Sequence, residues 1–184
     1  MTLQGLIKPK SIRGAGLEIR YGQVEYDGLP LLVGITDGKI CYAGFTDQAA
    51  EIRYHYPQSR MVRDQTGIAA FMPPVLHSWK TKAALDRNIE FYAEATAFGL
   101  DVWRYLLTIE PGQTVSYKEI ATALGRPKAF RAVGNAVGAN PVTLFIPCHR
   151  VLHSSGGKSG YAWGADIKTR LLAAEEKFYK KKAA

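Results

Sequence analysis

The first half of the chain has the hydrophobic pattern of a sheet with flanking helices. Two hydrophobic runs, at 31–36 and 40–45, flank Asp37-Gly38, a dipeptide that tolerates the positive φ angles of a tight hairpin. Pro57 is expected to end a helix, because proline cannot continue the helical hydrogen-bond pattern. The other predicted elements are strands at 17–26, 60–64 and 89–93 and helices at 47–56 and 75–85.

The second half changes to helical spacing. Hydrophobic residues recur at intervals of three and four over 98–107, ahead of the helix-breaking sequence at 110–112. Ser116 is a candidate N-cap, with Glu119 three residues later to complete a capping box. The helix that begins there is expected to end at Gly125, which provides the left-handed C-terminal residue.

A second helix is predicted after Arg126-Pro127. Its outer face carries Lys128, Arg131 and Asn135, and its apolar face carries Ala129, Ala132, Val133, Ala136 and Val137. Two short helices with a basic outer face are typical of a helix-turn-helix, although such pairs also occur in all-α domains that bind no DNA. Because the second helix has few long polar side chains, it could approach DNA closely without reading its sequence.

Length and composition exclude several classes of protein. The chain has 184 residues, of which 47% are hydrophobic and 22% charged, which is typical of one or two globular domains. We expect no membrane span and no signal peptide, because the hydrophobic runs are too short. Two cysteines are too few for a disulfide scaffold, which favours a reducing compartment. The terminal run 180–182 is expected to be a frayed, solvated tail.

The net charge of +8 is concentrated in the second half. Residues 1–97 contain 11 Lys and Arg against 10 Asp and Glu, whereas residues 98–184 contain 13 against 6. No acidic residue lies between Glu119 and Asp166. Such a stretch indicates a phosphate-binding surface, with a merely soluble basic surface as the alternative.

Ile146-Pro147-Cys148-His149-Arg150-Val151 is the most specific segment of the chain. Neighbouring positive charge favours the thiolate of a cysteine, which is a nucleophile suited to attack at carbon. The alternative is a buried, inert cysteine. If the segment is a strand, His149 points away from Cys148, so contact between them would need a turn or a water. A carboxylate to orient the histidine must come from Asp166, Glu175 or Glu176, if it lies after Glu119.

Residues 147–151 resemble the active-site motif of the O6-alkylguanine-DNA alkyltransferases, also called methylated-DNA–protein-cysteine methyltransferases. The resemblance covers about residues 96–176 and includes the segments Thr114–Tyr117, Arg131–Gly134, Asn140-Pro141, Ser159–Gly164 and Lys168–Glu175. Tyr161-Ala162-Trp163-Gly164 is most similar to the C-terminal half of the bacterial adaptive-response protein.

The resemblance implies an α/β plus α architecture with two domains. Residues 1–94 would form a ribonuclease H-like domain, and residues 95–184 a winged helix-turn-helix-like domain for DNA binding and alkyl transfer. The first half matches the family only in its order of strands and helices. It contains Cys41, His55 and His77 without metal-ligand spacing, so no metal is expected.

The activity implied is a single transfer of an alkyl group from guanine O6, and from thymine O4, to Cys148 without a cofactor. The partner would be double-stranded DNA containing O6-alkylguanine, bound by a monomer in the cytoplasm, or in the nucleus of a eukaryote. Alkyltransferase-like proteins bind such lesions without chemistry, but they have another residue in place of the cysteine that is present here as Cys148. A cysteine hydrolase would need an oxyanion hole, of which the sequence gives no sign.

The resemblance also assigns roles to individual residues. Cys148, a water, His149 and Glu175, rather than Glu176, would form a hydrogen-bond chain, Asn140 would brace the turn, and Tyr117 would donate to guanine N3. The DNA-binding residues would be Arg131, which enters the base stack, with Lys128, Arg126, Asn135, Ser116 and Arg150. The alkylguanine pocket would be formed by Val151, Tyr161, Ala162, Trp163, Val137, Ser159 and Gly160. The carbonyls of Cys148 and Val151 would accept the guanine amine, and the amide of Ala162 would donate to O6.

Overall fold

A computed structural model describes residues 2–6, 13–81, 90–153 and 160–183 of the chain. It has an α/β fold whose contacts separate two compact units. The first unit is Met1–Thr96 together with Pro141–Phe145, and the second is Ala97–Asn140 together with Ile146–Ala184. The boundary predicted between residues 94 and 95 leaves Pro141–Phe145 out of the first unit. No local sequence signal indicates that the chain comes back to the first unit at these residues.

The first unit contains a six-stranded mixed sheet. The strands and helices of this unit are β1 (Thr2–Leu6), β2 (Glu18–Tyr26), β3 (Leu29–Thr36), β4 (Lys39–Gly44), α1 (Ala50–His55), β5 (Arg60–Arg63), α2 (Gln65–Thr81) and β6 (Glu90–Glu94). The strands lie in the sheet in the order β1-β6-β4-β3-β2-β5. β2, β3 and β4 are antiparallel neighbours, whereas β1–β6, β4–β6 and β2–β5 pair in parallel.

The strand predictions for this unit are confirmed and the helix predictions are partly wrong. Asp37 and Gly38 have φ angles of 47° and 73°, as the predicted hairpin between β3 and β4 requires. α1 begins three residues later than expected. α2 begins at Gln65, ten residues before the predicted start, and continues through Pro73 and Pro74. β1 was not predicted, because no alternating pattern marks it.

The chain segment at 141–145 joins the sheet of the first unit. The Ala43 N–H donates to the Pro141 carbonyl at 2.9 Å, and the Thr143 N–H donates to the Ala43 carbonyl at 2.9 Å. Phe145 then packs against Phe91, with ring centroids 5.6 Å apart. This segment therefore extends the core of the first unit, although its neighbours on both sides in the sequence belong to the second.

The second unit consists mainly of helices, with one short pair of strands. Its elements are α3 (Ala97–Leu106), β7 (Val115–Ser116), α4 (Tyr117–Ala123), α5 (Phe130–Gly138), a 3₁₀ turn (Cys148–Arg150), β8 (Val151–Leu152) and α6 (Ala165–Ala183). β7 and β8 pair in parallel, with Val115 opposite Val151 and Ser116 opposite Leu152. The register brings the start of α4 beside the residues that follow the cysteine turn.

The helix ends in this unit follow the predicted signals. Ser116 caps α4 by accepting from the Glu119 N–H at 3.2 Å, and the Glu119 carboxylate accepts from the Ser116 N–H at 2.6 Å. Gly125 follows α4 with a φ of 70°. α5 buries Val133 and Val137 and begins at Phe130. Lys128 therefore lies in the turn before α5, not on the helix as predicted.

The helix predicted over 98–107 is confirmed as α3, which spans Ala97–Leu106 and ends before the breaker at 110–112. One further expectation about this unit is wrong. The lysine run at 180–182, expected to be a frayed tail, lies within α6.

The capping box at Ser116 gives a first prediction. Replacing Ser116 by Ala leaves the Glu119 N–H without its side-chain acceptor, so we expect Ser116→Ala to lower the free energy of unfolding by about 1 kcal/mol. Urea denaturation followed by circular dichroism measures this change. Ser116→Thr, which retains a hydroxyl acceptor, is the matched control and should lose less than half as much. An equal loss in both variants would show that the cap does not stabilise α4.

Candidate active site

Cys148 lies in a tight turn, not in a strand. The Cys148 N–H donates to the Ile146 carbonyl at 2.7 Å, and the Arg150 N–H donates to the Pro147 carbonyl at 3.0 Å. The chain becomes extended only at Val151, where β8 begins. The strand alternative, in which His149 would face away from Cys148, is therefore excluded.

The Glu175 carboxylate joins three separate segments at this turn. It accepts from His149 Nε2 at 2.9 Å and from the Arg150 Nη2 at 2.7 Å. It also accepts from the Gly112 N–H, in the loop after α3, at 3.1 Å. The residues alone left three acids open, and the motif spacing of the resemblance favoured Glu175 over Glu176. Glu175 is the one placed against His149, while Glu176 is exposed on α6.

Arg150 belongs to this buried cluster. Only 4% of its side chain is exposed, and its Nη1 donates to the Ile109 carbonyl at 2.6 Å. Both of its other guanidinium nitrogens donate to Glu175. The expectation that Arg150 binds DNA is therefore wrong, since a phosphate could not reach the guanidinium without displacing Glu175.

The contact between His149 and Glu175 determines the protonation state of His149. Burial raises the pKa of Glu175, but hydrogen bonds from His149 and Arg150 outweigh it and bring that pKa to about 2. Burial lowers the pKa of His149 below 6.5, although Glu175 opposes this effect. At neutral pH the carboxylate is an acceptor only, so the neutral imidazole carries its proton on Nε2. Nδ1 is then a lone-pair acceptor, and it is buried without a hydrogen-bond partner among the described residues.

A positive charge near Cys148 comes from a residue to which the sequence assigned no role. Of the predicted basic pair, Arg150 is paired with Glu175, and burial favours the neutral form of His149. Lys168 on α6 interacts electrostatically with Cys148, and its Nζ donates to the Val151 carbonyl at 2.6 Å. Its ammonium also lies 5.9 Å from the centroid of the Tyr161 ring. Only its place within the segment 168–175 could have drawn attention to it.

The two cysteines differ in solvent exposure. Cys148 is 8% exposed, whereas Cys41, in β4, is completely buried. Burial raises the pKa of the Cys41 thiol, so that thiol stays protonated and inert. Cys148 is therefore the candidate nucleophile.

Tyr117 and Asn140 are placed near this turn. Burial and the charge of Cys148 raise the pKa of Tyr117, which keeps its hydroxyl protonated at neutral pH and able to donate. The Tyr117 ring lies 5.1 Å from that of His153. Asn140 is buried, and its Nδ2 donates to the Ile146 carbonyl at 2.8 Å. This bond joins the two residues at which the chain leaves and re-enters the second unit.

The predicted DNA-binding side chains, Arg150 excepted, lie at or near the surface of the second unit. Arg131 and Asn135 are exposed on α5, and Lys128 and Arg126 are exposed in the turn before it. Ser116 is half-buried by its capping role. The exposed side of α5 therefore carries the expected basic and amide groups.

The residues expected to form the alkylguanine pocket are only partly described. Val137 and Val151 are buried, Tyr161 and Trp163 are half-buried, and Gly160 and Ala162 are exposed, whereas Ser159 lies outside the described residues. The Val151 carbonyl already accepts from Lys168, and the Cys148 carbonyl accepts from the Val151 N–H. A guanine amine would have to use the second lone pair of each carbonyl.

The part of the chain that the structure describes contains neither a metal-binding cluster nor a membrane-spanning helix. No cluster of three or more His, Cys, Asp or Glu side chains there could hold a metal ion. None of the helices there is long and apolar enough to cross a membrane.

A cysteine that is 8% exposed, next in the chain to a histidine oriented by a carboxylate, fits proteins that use a thiol as a nucleophile. The family model of the 6-O-methylguanine DNA methyltransferase DNA-binding domain matches residues 97–177. The inducible methylated-DNA–protein-cysteine methyltransferase of Bacillus subtilis is 38% identical over 68% of this chain and 69% of its own length. The chain therefore belongs to the methylated-DNA–protein-cysteine methyltransferase family.

Two further relatives extend the similarity into the first unit. The regulatory protein Ada of Salmonella typhimurium is 34% identical over 88% of this chain. The chain spans about half the length of several curated relatives that it matches, 47% in the case of the Salmonella protein. The crystal structure of Mycobacterium tuberculosis OGT in complex with DNA superposes with a TM-score of 0.71 at 30% identity, over 86% of this chain and 94% of that one.

The contacts of Glu175 predict a large and pH-dependent stabilisation. Because removal of this carboxylate leaves Arg150 buried without its charge partner, we expect Glu175→Gln to lower the free energy of unfolding by about 3 kcal/mol at pH 7. The adjacent, exposed Glu176→Gln is the control and should change it by less than about 0.5 kcal/mol.

The sign of the pH effect follows from the lowered pKa of Glu175. Its contribution is complete above the unfolded-state pKa of about 4.3 and is lost as the pH falls toward the folded-state value, which is about 2. Urea denaturation from pH 7 to pH 3 should therefore show the wild-type advantage over Glu175→Gln shrinking only below about pH 4.5. An advantage that is constant down to pH 3 would contradict the assignment.

Proposed function

We propose that this chain repairs DNA by transferring the alkyl group of O6-alkylguanine to the sulfur of Cys148. The observation that carries the proposal is the contact between His149 and Glu175 in the turn that holds Cys148. This contact leaves a neutral histidine, next in the chain to the thiol, with one acceptor nitrogen that has no partner among the described residues. Family membership supplies the substrate class, and the same chemistry would extend to O4-alkylthymine. No cofactor is required.

The proposed reaction consists of a proton transfer from Cys148 to His149 and an alkyl transfer from guanine O6 to the sulfur. The thiol proton leaves toward His149 Nδ1, through the water that the family resemblance places between them, and the thiolate attacks the alkyl carbon. The bond between that carbon and O6 breaks, its electron pair returns to the purine, and the purine takes up a proton. The products are an S-alkyl thioether and unmodified guanine. Since a thioether has no good leaving group and no second nucleophile is assigned, each molecule acts once.

Lys168 and Tyr117 would support this transfer from two sides. The Lys168 ammonium favours the thiolate, because the two charges attract in a mostly buried setting. The Tyr117 hydroxyl, kept protonated, would donate to guanine N3 and stabilise the charge that develops on the leaving purine.

The second unit would bind the duplex as a winged helix-turn-helix formed around α4 and α5. A base inside a duplex cannot reach the thiol, so the target nucleotide must be flipped out of the stack. Arg131 would occupy the space that it leaves, because its planar side chain can stack and donate hydrogen bonds. Lys128, Arg126, Asn135 and Ser116 would contact the backbone.

The everted base would lie against Val137, Val151 and the segment Ser159–Trp163. The amide of Ala162 would donate to O6, and Tyr161 would form one wall. The first unit would be a ribonuclease H-like domain, with the domains divided near residues 94 and 95. We further propose that the protein acts as a monomer in the compartment that holds the DNA, the cytoplasm of a bacterium or the nucleus of a eukaryote.

Intact mass tests the transfer directly. When the protein is mixed with a duplex containing O6-methylguanine, its mass should increase by one methyl group in place of one hydrogen. Cys148→Ala should show no gain while still binding the duplex. Cys41→Ala is the matched control and should gain the methyl group normally, since Cys41 is buried in the other unit. An unchanged wild-type mass with tight lesion binding would favour a recognition protein without chemistry.

The salt dependence of DNA binding tests the backbone contacts. Each lysine or arginine that neutralises a phosphate releases counterions, so Lys128→Ala should reduce the slope of log affinity against log salt by about one. Fluorescence anisotropy with an undamaged duplex measures this slope. Arg53→Ala removes an exposed charge of α1 in the first unit and should leave the slope unchanged. Equal slopes for wild type and Lys128→Ala would exclude the phosphate contact.

A further inference from the structure

Phe130, the first residue of α5, is an exposed aromatic side chain on the proposed DNA-binding surface. It is 45% exposed. The other large hydrophobic side chains that the described residues leave exposed are Tyr54 and Phe71, both in the first unit. Phe130 therefore does not serve the core of its own unit, which α5 reaches through Val133 and Val137.

Phe130 is in contact with Arg131. The guanidinium carbon of Arg131 lies 5.9 Å from the centroid of the Phe130 ring, within the range of a cation–π interaction. In the part of the chain that the structure describes, Arg131 forms no ion pair with a carboxylate. The arginine that is proposed to enter the base stack is thus presented beside an exposed aromatic ring.

The surroundings of this pair favour a nucleic acid as its partner. Arg126 and Lys128 are exposed immediately before Phe130, and no acidic residue occurs between Glu119 and Asp166. Ala132, next along the helix, is small and exposed, so a duplex can come close to the helix backbone here. Every nucleobase has an apolar face on which an aromatic ring can stack.

From these observations, and resting on the proposed function, we infer that Phe130 contacts a nucleobase of the duplex next to the flipped nucleotide. Its ring stacks on, or wedges against, the neighbouring base pair while Arg131 fills the vacated position. Apolar side chains inserted at a base step partly unstack it and stabilise a distorted duplex. Phe130 therefore acts as a DNA-binding residue that keeps the target nucleotide extrahelical, and it takes no part in the alkyl transfer itself.

A role in flipping predicts a difference between double-stranded and single-stranded substrates. In a single strand the target base is already unpaired, so little remains for a wedge to hold open. At saturating protein, we expect Phe130→Ala to slow methyl transfer from duplex O6-methylguanine about tenfold. Transfer from the same lesion in a single-stranded oligonucleotide should change less than about twofold. Single-turnover time courses followed by intact mass give both rate constants.

Three further variants test whether the Phe130 ring itself contacts DNA. Phe130→Tyr retains the ring and should react at close to the wild-type rate. Phe71→Ala removes an exposed phenylalanine of the first unit and should not change either rate. Phe130→Ala introduced into Arg131→Ala should slow the duplex reaction further, because the ring makes its own contact with the duplex.

The outcomes are distinguishable. Equal slowing of both substrates by Phe130→Ala, or no slowing of either, would overturn the inference. So would an absence of further slowing in the Arg131→Ala background, which would mean that Phe130 only positions Arg131. If the wild-type protein transfers no methyl group from either substrate, the proposed function itself fails, and Phe130 is not the cause.

Discussion

The Glu175 carboxylate is the interaction on which the arrangement of the site depends. It accepts from His149, Arg150 and the Gly112 N–H, and so connects α6, the cysteine turn and the loop after α3. Its buried negative charge is offset by the Arg150 guanidinium, which also donates to the Ile109 carbonyl. Buried charges of this kind are tolerated only where each has its partner and its hydrogen bonds. The turn that holds Cys148 is therefore anchored by ionic contacts rather than by apolar packing alone.

The same contacts set the protonation of His149, the residue next to the proposed nucleophile. A carboxylate that is anionic throughout the physiological range determines which imidazole nitrogen carries the proton, and burial keeps the imidazole neutral. His149 can then receive a proton at Nδ1, on the nitrogen that faces away from Glu175. Lys168 adds a positive charge near Cys148 from α6, the same helix that carries Glu175. One helix thus supplies both the carboxylate that contacts His149 and the ammonium that interacts with Cys148.

Local signals in the sequence predicted local structure well. The hairpin at Asp37-Gly38 and the capping box at Ser116 depend on a few adjacent residues, and both are present as expected. The sequence could not show that α2 continues through Pro73 and Pro74, because tertiary packing overrides the local penalty of proline. The motif around Cys148 located the candidate nucleophile. It gave a wrong role to Arg150, since only the three-dimensional contact with Glu175 distinguishes a buried ion pair from a phosphate ligand.

The chemistry proposed for this site depends on the protonation state of His149, which nitrogen NMR of a selectively labelled protein measures. The chemical shifts of the two imidazole nitrogens report which one carries the proton and at what pH the ring becomes charged. The structure predicts a neutral ring at pH 7 with the proton on Nε2. Because Glu175 raises the pKa of His149, Glu175→Gln should lower that pKa further. A ring that is doubly protonated at pH 7, or one that carries its proton on Nδ1, would contradict this account of the site.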